Sequence, residues 1–298
     1  MITWAWRREL DPADAAEVAD LLAEAAAYDA EAGFSTARLD GDGTGERHHL
    51  VVEMPPVGSR GSAELDALPD VRVVAYLCLT VSEGVGAVQF VVRPPFRSRG
   101  VATLLAEQLD ADARGWAAVP GVAELRVWAH GAHPAAGRMA DRFGASVEDA
   151  VFRTLRMIGG SRPFVAELAA VRRAAAEDQG WESVPGHRRS IAPDDLEILG
   201  RAEEELSLVA GAGRALIGVS RDDPARDLAT LTVLRDGAET RAELKVLITQ
   251  ALLVLQADGA RMVQSHVPAL DDAMVSVARE LDLVHDQSDL LYRRRLAG

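Results

Sequence analysis

Phe90-Val91-Val92-Arg93-Pro94-Pro95-Phe96-Arg97-Ser98-Arg99-Gly100-Val101-Ala102-Thr103 decides how this chain is read. An apolar strand stops at a Pro-Pro break, and Arg97-x-x-Gly100-x-Ala102 then opens a helix. Turn amides and the helix N-terminus point free N–H groups at one spot, where the helix dipole favours negative charge. Gly100 allows close backbone approach, and Ala102 keeps bulk away. Arg93, Arg97 and Arg99 add positive charge, so the stretch reads as an anion site. It is neither Gly-x-x-x-x-Gly-Lys nor Gly-x-Gly-x-x-Gly.

Working outward, Val101, Leu104, Leu105, Leu109, Ala113 and Trp116 share one face, which predicts a helix from Val101 to about Trp116, its stripe interrupted by Asp112. Upstream, Val71–Thr80 and Val85–Val92 read as strands joined by a Glu83-Gly84 turn. Before them come strands at Thr3–Arg8 and His49–Glu53, a helix opened by Asp11-Pro12, and a Gly/Ser/Pro-rich loop from Pro55 to Pro69. Downstream, Val122–Ala129 reads as a strand, His133 to Phe143 as a short helix, and Val151–Ile158 as a closing strand.

A second αβ series follows Gly159-Gly160. Strands are predicted near His187–Ile191, Arg214–Val219, Leu228–Arg235, Ala260–His266 and Asp289–Leu296. Helices are predicted at Pro193–Val209, Thr240–Gln256 and Leu270–Leu281. The halves resemble each other. Glu124-Leu125-Arg126-Val127-Trp128-Ala129-His130 parallels Ala260-Arg261-Met262-Val263-Gln264-Ser265-His266. Phe152-Arg153-Thr154-Leu155-Arg156 parallels Tyr292-Arg293-Arg294-Arg295-Leu296. The reading is a mixed α/β chain with an internal duplication: a first domain at 1–158, a linker at 159–186 and a second domain at 187–298.

Composition bounds the function. The chain has 298 residues, 48% hydrophobic and 26% charged, enough for real cores, which excludes wholesale disorder. A formal charge of −14 argues against nucleic-acid backbone binding. Only Lys245 among the 32 Lys and Arg residues is lysine, a bias of GC-rich coding. Cys78, the one cysteine, sits in an apolar run and reads as a buried thiol. The N-terminus alternates like a strand rather than a signal peptide, and the longest apolar stretch, near Val246–Leu255, is too short to span a bilayer. A cytoplasmic protein is expected, without membrane partner, either monomer or homodimer.

The order of elements through residue 158 and the run Val-x-Pro-x-x-Arg-x-x-Gly-x-Ala resemble the GNAT superfamily of N-acetyltransferases. Val91-Val92-Arg93-Pro94 through Gly100, with Val127-Trp128-Ala129-His130-Gly131, is similar to the tandem GNAT proteins of the mycothiol synthase type. The resemblance implies acetyl-CoA, or another acyl-CoA, as co-substrate and a small-molecule amine as acceptor. The backbone of Phe90, Val91 and Val92 would pair with the pantetheine arm. Amides of Ser98, Arg99, Gly100, Val101, Ala102 and Thr103, with Arg97 beside them, would hold the pyrophosphate. The amide near Val91 would polarise the thioester carbonyl for direct attack by the amine.

Such a reaction needs a base for the ammonium and an acid for the departing thiolate. Where many family members carry a glutamate base this chain has Gln89, and where they carry the tyrosine acid it has Ala140. Gln89 and His130 are the catalytic candidates, with Tyr28, Glu83 and His133 as further substitutes. A non-catalytic acyl-CoA sensor is the alternative. His48-His49 and His130-x-x-His133 lack partners at ligand spacing, so no metal is expected. The second half replaces the loop with Leu234-Arg235-Asp236-Gly237-Ala238-Glu239-Thr240-Arg241-Ala242-Glu243, whose acids would repel a diphosphate. That half reads as a degenerate GNAT domain.

Overall fold

The computed structural model describes residues 2–30, 45–166, 172–174, 204–210, 213–223, 228–235 and 240–296. They fall into two units: Met1–Glu148 with Leu290–Gly298, and Asp149–Asp289. Among them no helix is long and apolar enough to cross a membrane.

In the first unit the run Val-Val-Ala-Tyr-Leu-Cys-Leu-Thr becomes an inner strand, β3 (Val73–Ser82), buried from Val73 through Thr80 because layers cover both its faces. Beside it lie β2 (Glu46–Glu53) and, outermost, β1 (Thr3–Arg7), all antiparallel. On the other side β4 (Val85–Val92) pairs with β3 along its whole length, through a turn in which Glu83 (φ 49°) and Gly84 (φ 85°) are both left-handed, as a two-residue hairpin requires. β5 (Glu124–Ala129) joins β4 in parallel. The sheet is completed by Leu290–Arg295 of β12 (Val284–Arg295), antiparallel to β5.

Alternation along β2 sorts the core. Leu50 and Val52 join Leu77, Leu79, Phe96, Leu105 and Leu109 under α3 (Val101–Ala111). Val51 joins Tyr76, Cys78, Val18 and Leu21 under α1 (Pro12–Ala30). Cys78 is buried, as its apolar run implied. The Pro55–Pro69 loop contains one short helix, α2 (Ala63–Asp66).

The helix predicted to reach Trp116 ends at Ala111. Asp112 is extended (φ −92°, ψ 132°), and its carboxylate accepts the Arg114 amide at 2.8 Å. The chain then folds back so tightly that a Cβ on Gly115 would lie 2.0 Å from the Leu109 carbonyl. Trp116 sits in a separate 3-10 turn, Trp116–Ala118.

The second unit repeats the plan. β7 (Arg172–Ala174), β8 (Glu204–Ala210), β9 (Gly213–Asp223) and β10 (Leu228–Arg235) form an antiparallel run. β10 pairs in parallel with β11 (Met262–Pro268), which pairs with β6 (Ser146–Met157). α5 (Arg241–Ala257) buries Leu244, Leu247, Ile248, Leu252 and Leu255. Val277 and Ala278 of the last helix, α6 (Asp272–Glu280), are buried in the same core. Residues 204–209 are strand, not the helix predicted over Pro193–Val209. His187–Ile191, residues 193–203 and most of the expected 159–186 linker lie outside the described residues. The closing strands are also allotted differently from sequential halves. Val151–Met157 pair within the second unit, and Leu290–Arg295 within the first. Both strands carry the same aromatic-Arg pattern, so their sequence alone does not choose between the two sites.

Candidate active site

The parallel ladder between β4 and β5 is short. It joins Val85, Gly86, Ala87 and Val88 to Glu124, Leu125, Arg126 and Val127, and stops. Beyond it Phe90–Val92 keep their β3 partners, Trp128 and Ala129 keep theirs on β12, and no ladder crosses between the two arms. The sheet therefore forks. An extended ligand can lie between the arms and bond their backbones as an added strand does.

The β4 arm leads straight to the loop that the sequence reads as an anion site. Arg93 N–H donates to the Val74 carbonyl (2.9 Å), and Pro94–Phe96 form a 3-10 turn anchored by the fully buried Phe96. Ser98 (φ 60°) and Gly100 (φ 80°) are left-handed, a conformation that glycine adopts without steric cost. Gly100 caps α3 with no side-chain bond, and a Cβ added there would meet nothing within 4 Å. No described side chain caps the opening amides of α3.

The three arginines do different things. Arg93 is buried, donating to the Val73 carbonyl (3.1 Å) and to Glu24 (2.6 Å). Arg97 donates to the Val92 carbonyl (2.9 Å) and to both Asp29 oxygens, and lies 5.2 Å from the Tyr28 ring centroid. Both are neutralised by α1 and hold the loop in place. Arg99 is exposed and forms no ion pair with a described residue. The sequence counted all three as charge for a ligand, and among the described residues only Arg99 is left without an ion pair.

Gln89 sits on the β4 arm, half-buried, opposite Cys78. It shares the α1 side with Val91, away from α3. His130 ends the β5 arm, at the start of a turn in which Gly131 (φ 71°) and Ala132 (φ 46°) are both left-handed. His133 is the N-cap of α4 (Pro134–Arg142) and accepts the Ala135 amide at 3.2 Å. Tyr28 is an exposed cover on Arg97, and Glu83 sits in the turn at the far end of β4 from the fork. Among the described residues no group of His, Cys, Asp and Glu could hold a metal ion.

Sequence reasoning missed Tyr292. It pairs with Val127, the last rung of the β4–β5 ladder, so the two side chains share a face. Its hydroxyl lies 3.8 Å from where a Cβ on Gly137 of α4 would sit. A helical side chain covers the turn N-terminal to its own Cα, so a tyrosine at position 140 would reach over that same turn. Gly137 and Ala140 leave it to Tyr292. Only the exchange of closing strands brings this residue into the first unit.

The second unit also forks, its parallel ladder running only from Leu228–Met262 to Leu231–Ser265. Its helix start differs. Thr240 Oγ1 accepts the Glu243 amide (3.3 Å), and Glu243 Oε2 accepts the Thr240 amide (2.7 Å), a closed capping box. Asp236–Glu239, expected to repel a diphosphate, lie outside the described residues.

Solved structures similar to this chain include GNAT proteins. A GCN5-related N-acetyltransferase from Sphaerobacter thermophilus matches with TM-score 0.53 and 16% identity, over 99% of this chain and 96% of that one. A tandem GNAT protein from the clavulanic acid biosynthesis pathway matches with TM-score 0.57 and 14% identity, over 100% and 99%. The chain has the tandem GNAT fold. In sequence it resembles mycothiol acetyltransferases. That of Parafrankia sp. (strain EAN1pec) is 33% identical over 163 residues, 55% of this chain and 45% of the relative. That of Streptomyces scabiei is 27% identical over 230 residues, 70% and 71%. The chain spans less than half the length of the first of these relatives. No family model matches the chain.

Proposed function

We propose that the protein is an acyl-CoA-dependent N-acyltransferase that moves an acetyl group to the amine of a small molecule. The observation that carries this reading is the continuity of the fork with an uncapped helix start. The gap between β4 and β5 beyond Val88–Val127 would take a pantetheine arm, and β4 leads on to the uncapped start of α3, whose amides would meet the diphosphate. Backbone groups of Phe90, Val91 and Val92 hold the arm, and amides from Ser98 to Thr103 with Arg99 hold the anion. The Val91 amide faces the thioester oxygen as charge develops there. Attack is direct, with no acyl-enzyme. With Gln89 in place of a carboxylate, the ammonium proton leaves through water beside His130, and the Tyr292 hydroxyl protonates the thiolate. The second unit, its helix start closed by the Thr240–Glu243 capping box, does not bind a second acyl-CoA.

Gln89 and Ala140 favour one alternative, an acyl-CoA sensor that binds without turnover. Thiol release from acetyl-CoA across a panel of small amines separates the two. Release with at least one amine supports the transferase; acetyl-CoA binding without release supports the sensor.

A further inference from the structure

Arg156 and Arg294 hold equivalent places in the two repeats, two positions out of step with the sequence parallel that set Phe152 beside Tyr292. In the first unit the parallel ladder begins at Val85–Glu124, and the next β5 residue, Leu125, faces Arg294. In the second it begins at Leu228–Met262, and the next β11 residue, Val263, faces Arg156. The adjoining helices match too. α4 and α6 are nine residues each, are capped by Phe143 and Leu281, and run into left-handed Gly144 (φ 68°) and Asp282 (φ 49°).

The surroundings of the two guanidinium groups differ. Arg294 lies 5.9 Å from the Phe143 ring centroid and binds both Asp110 oxygens, at 2.7 and 2.8 Å. Arg156 lies 4.7 Å from the Phe164 ring centroid, but α5 brings it Thr249 and Gln250 instead of a carboxylate. Its Nε and Nη1 are buried and make no hydrogen bond with a described residue. Asp282 Oδ2 stands 3.6 Å from Nη1 on a side chain that is 84% exposed. Glu280 is taken by Lys245 at 2.8 Å. Around the guanidinium opens a cavity of about 400 Å3, lined by Phe164, Val246, Thr249, Gln250 and Leu281 as well as Arg156, with Lys245, Glu280 and Asp282 also on its wall.

We infer that this cavity of the second unit binds a small organic carboxylate. The anionic end pairs with Arg156, and the apolar body lies against Phe164, Val246 and Leu281. A poorly hydrated guanidinium gains most from a charge-assisted partner. The first repeat supplies that partner from its own helix, whereas the second leaves the place to a ligand. The site shares no residue with the acyl-CoA fork and does not depend on its assignment.

The test is a thermal-shift and calorimetric titration of the full chain with benzoate and isobutyrate, with inorganic phosphate alongside. Benzoate should give saturable stabilisation in the millimolar range, and Arg156→Gln should weaken it by about tenfold or more. Gln250→Asp, which puts a carboxylate where the first repeat has Asp110, should abolish it without lowering the melting temperature. This second variant keeps the test decisive if Arg156→Gln folds poorly. Absence of saturation with either carboxylate, equal response to phosphate, or unchanged binding in a folded variant overturns the assignment.

Discussion

Arg97 and Asp29 meet as a two-pronged ion pair, Nη1 to Oδ1 at 2.5 Å and Nη2 to Oδ2 at 2.9 Å. The pair ties the anion-site loop to the C-terminal turn of α1. Arg97 is thereby spent on position, whereas Arg99 is exposed. Arg99→Ala is expected to weaken acetyl-CoA binding three- to tenfold and to flatten its salt dependence. Asp29→Asn should instead lower thermal stability by about 1 kcal/mol, the two side chains being only partly exposed, and leave the salt dependence as it was. Calorimetric titrations at two ionic strengths check both. Equal salt slopes for Arg99→Ala and the parent would contradict this division of labour.

Tyr292→Phe removes one hydroxyl from a strand that otherwise keeps its packing. Turnover with acetyl-CoA should fall ten- to a hundredfold while acetyl-CoA affinity is unchanged. The deficit should shrink with an aryl thioester, whose thiolate leaves without a proton. A loss of the same size for alkyl and aryl thioesters would show that the hydroxyl only packs.

His48 and His49 give the first unit an acid limit. Burial holds both imidazoles below their usual range, reinforced at His48 by Arg8 and at His49 by Arg47 and then His48. With the folded pKa depressed, the unfolded chain takes up protons more readily. Stability is therefore full above the free-histidine value of about 6.5 and is lost as pH falls below it. The melting temperature should be flat above about pH 7 and fall as the pH drops below about 6.5. His48→Phe, which keeps a ring against Trp6, should lessen the fall. Superimposable pH profiles for variant and parent would refute the assignment.

Much of this was legible in the sequence because it rested on local chemistry. The alternation in β2 and the apolar run of β3 set the faces of the sheet, and Gly100 after a Pro-Pro break marked the helix start. What was not legible depended on distant partners. Nothing near Arg93 or Arg97 says that Glu24 and Asp29 neutralise them. Nothing in Tyr292-Arg293-Arg294 says which β-strand they join, since Phe152-Arg153-Thr154 carries the same pattern. Tyr292 therefore went unseen as a neighbour of the fork. The helix end at Ala111 was missed because a fold-back against the Leu109 carbonyl overrides a stripe that continues to Trp116.

The capping box separates stability from binding in the second unit. Glu243→Ala should cost about 1 kcal/mol and leave acetyl-CoA affinity untouched. Denaturant unfolding and calorimetry on the same samples check this. A changed affinity would mean that the second helix start takes part in binding.

The most direct trial of the central claim is calorimetric titration of acetyl-CoA into the parent protein and Gly100→Glu. The uncapped start of α3 should bind one equivalent in the parent. The variant, with a carboxylate added at the same amides and a side chain forced to φ 80°, should bind none while remaining folded. Undiminished binding by a folded Gly100→Glu protein would show that the diphosphate is held elsewhere.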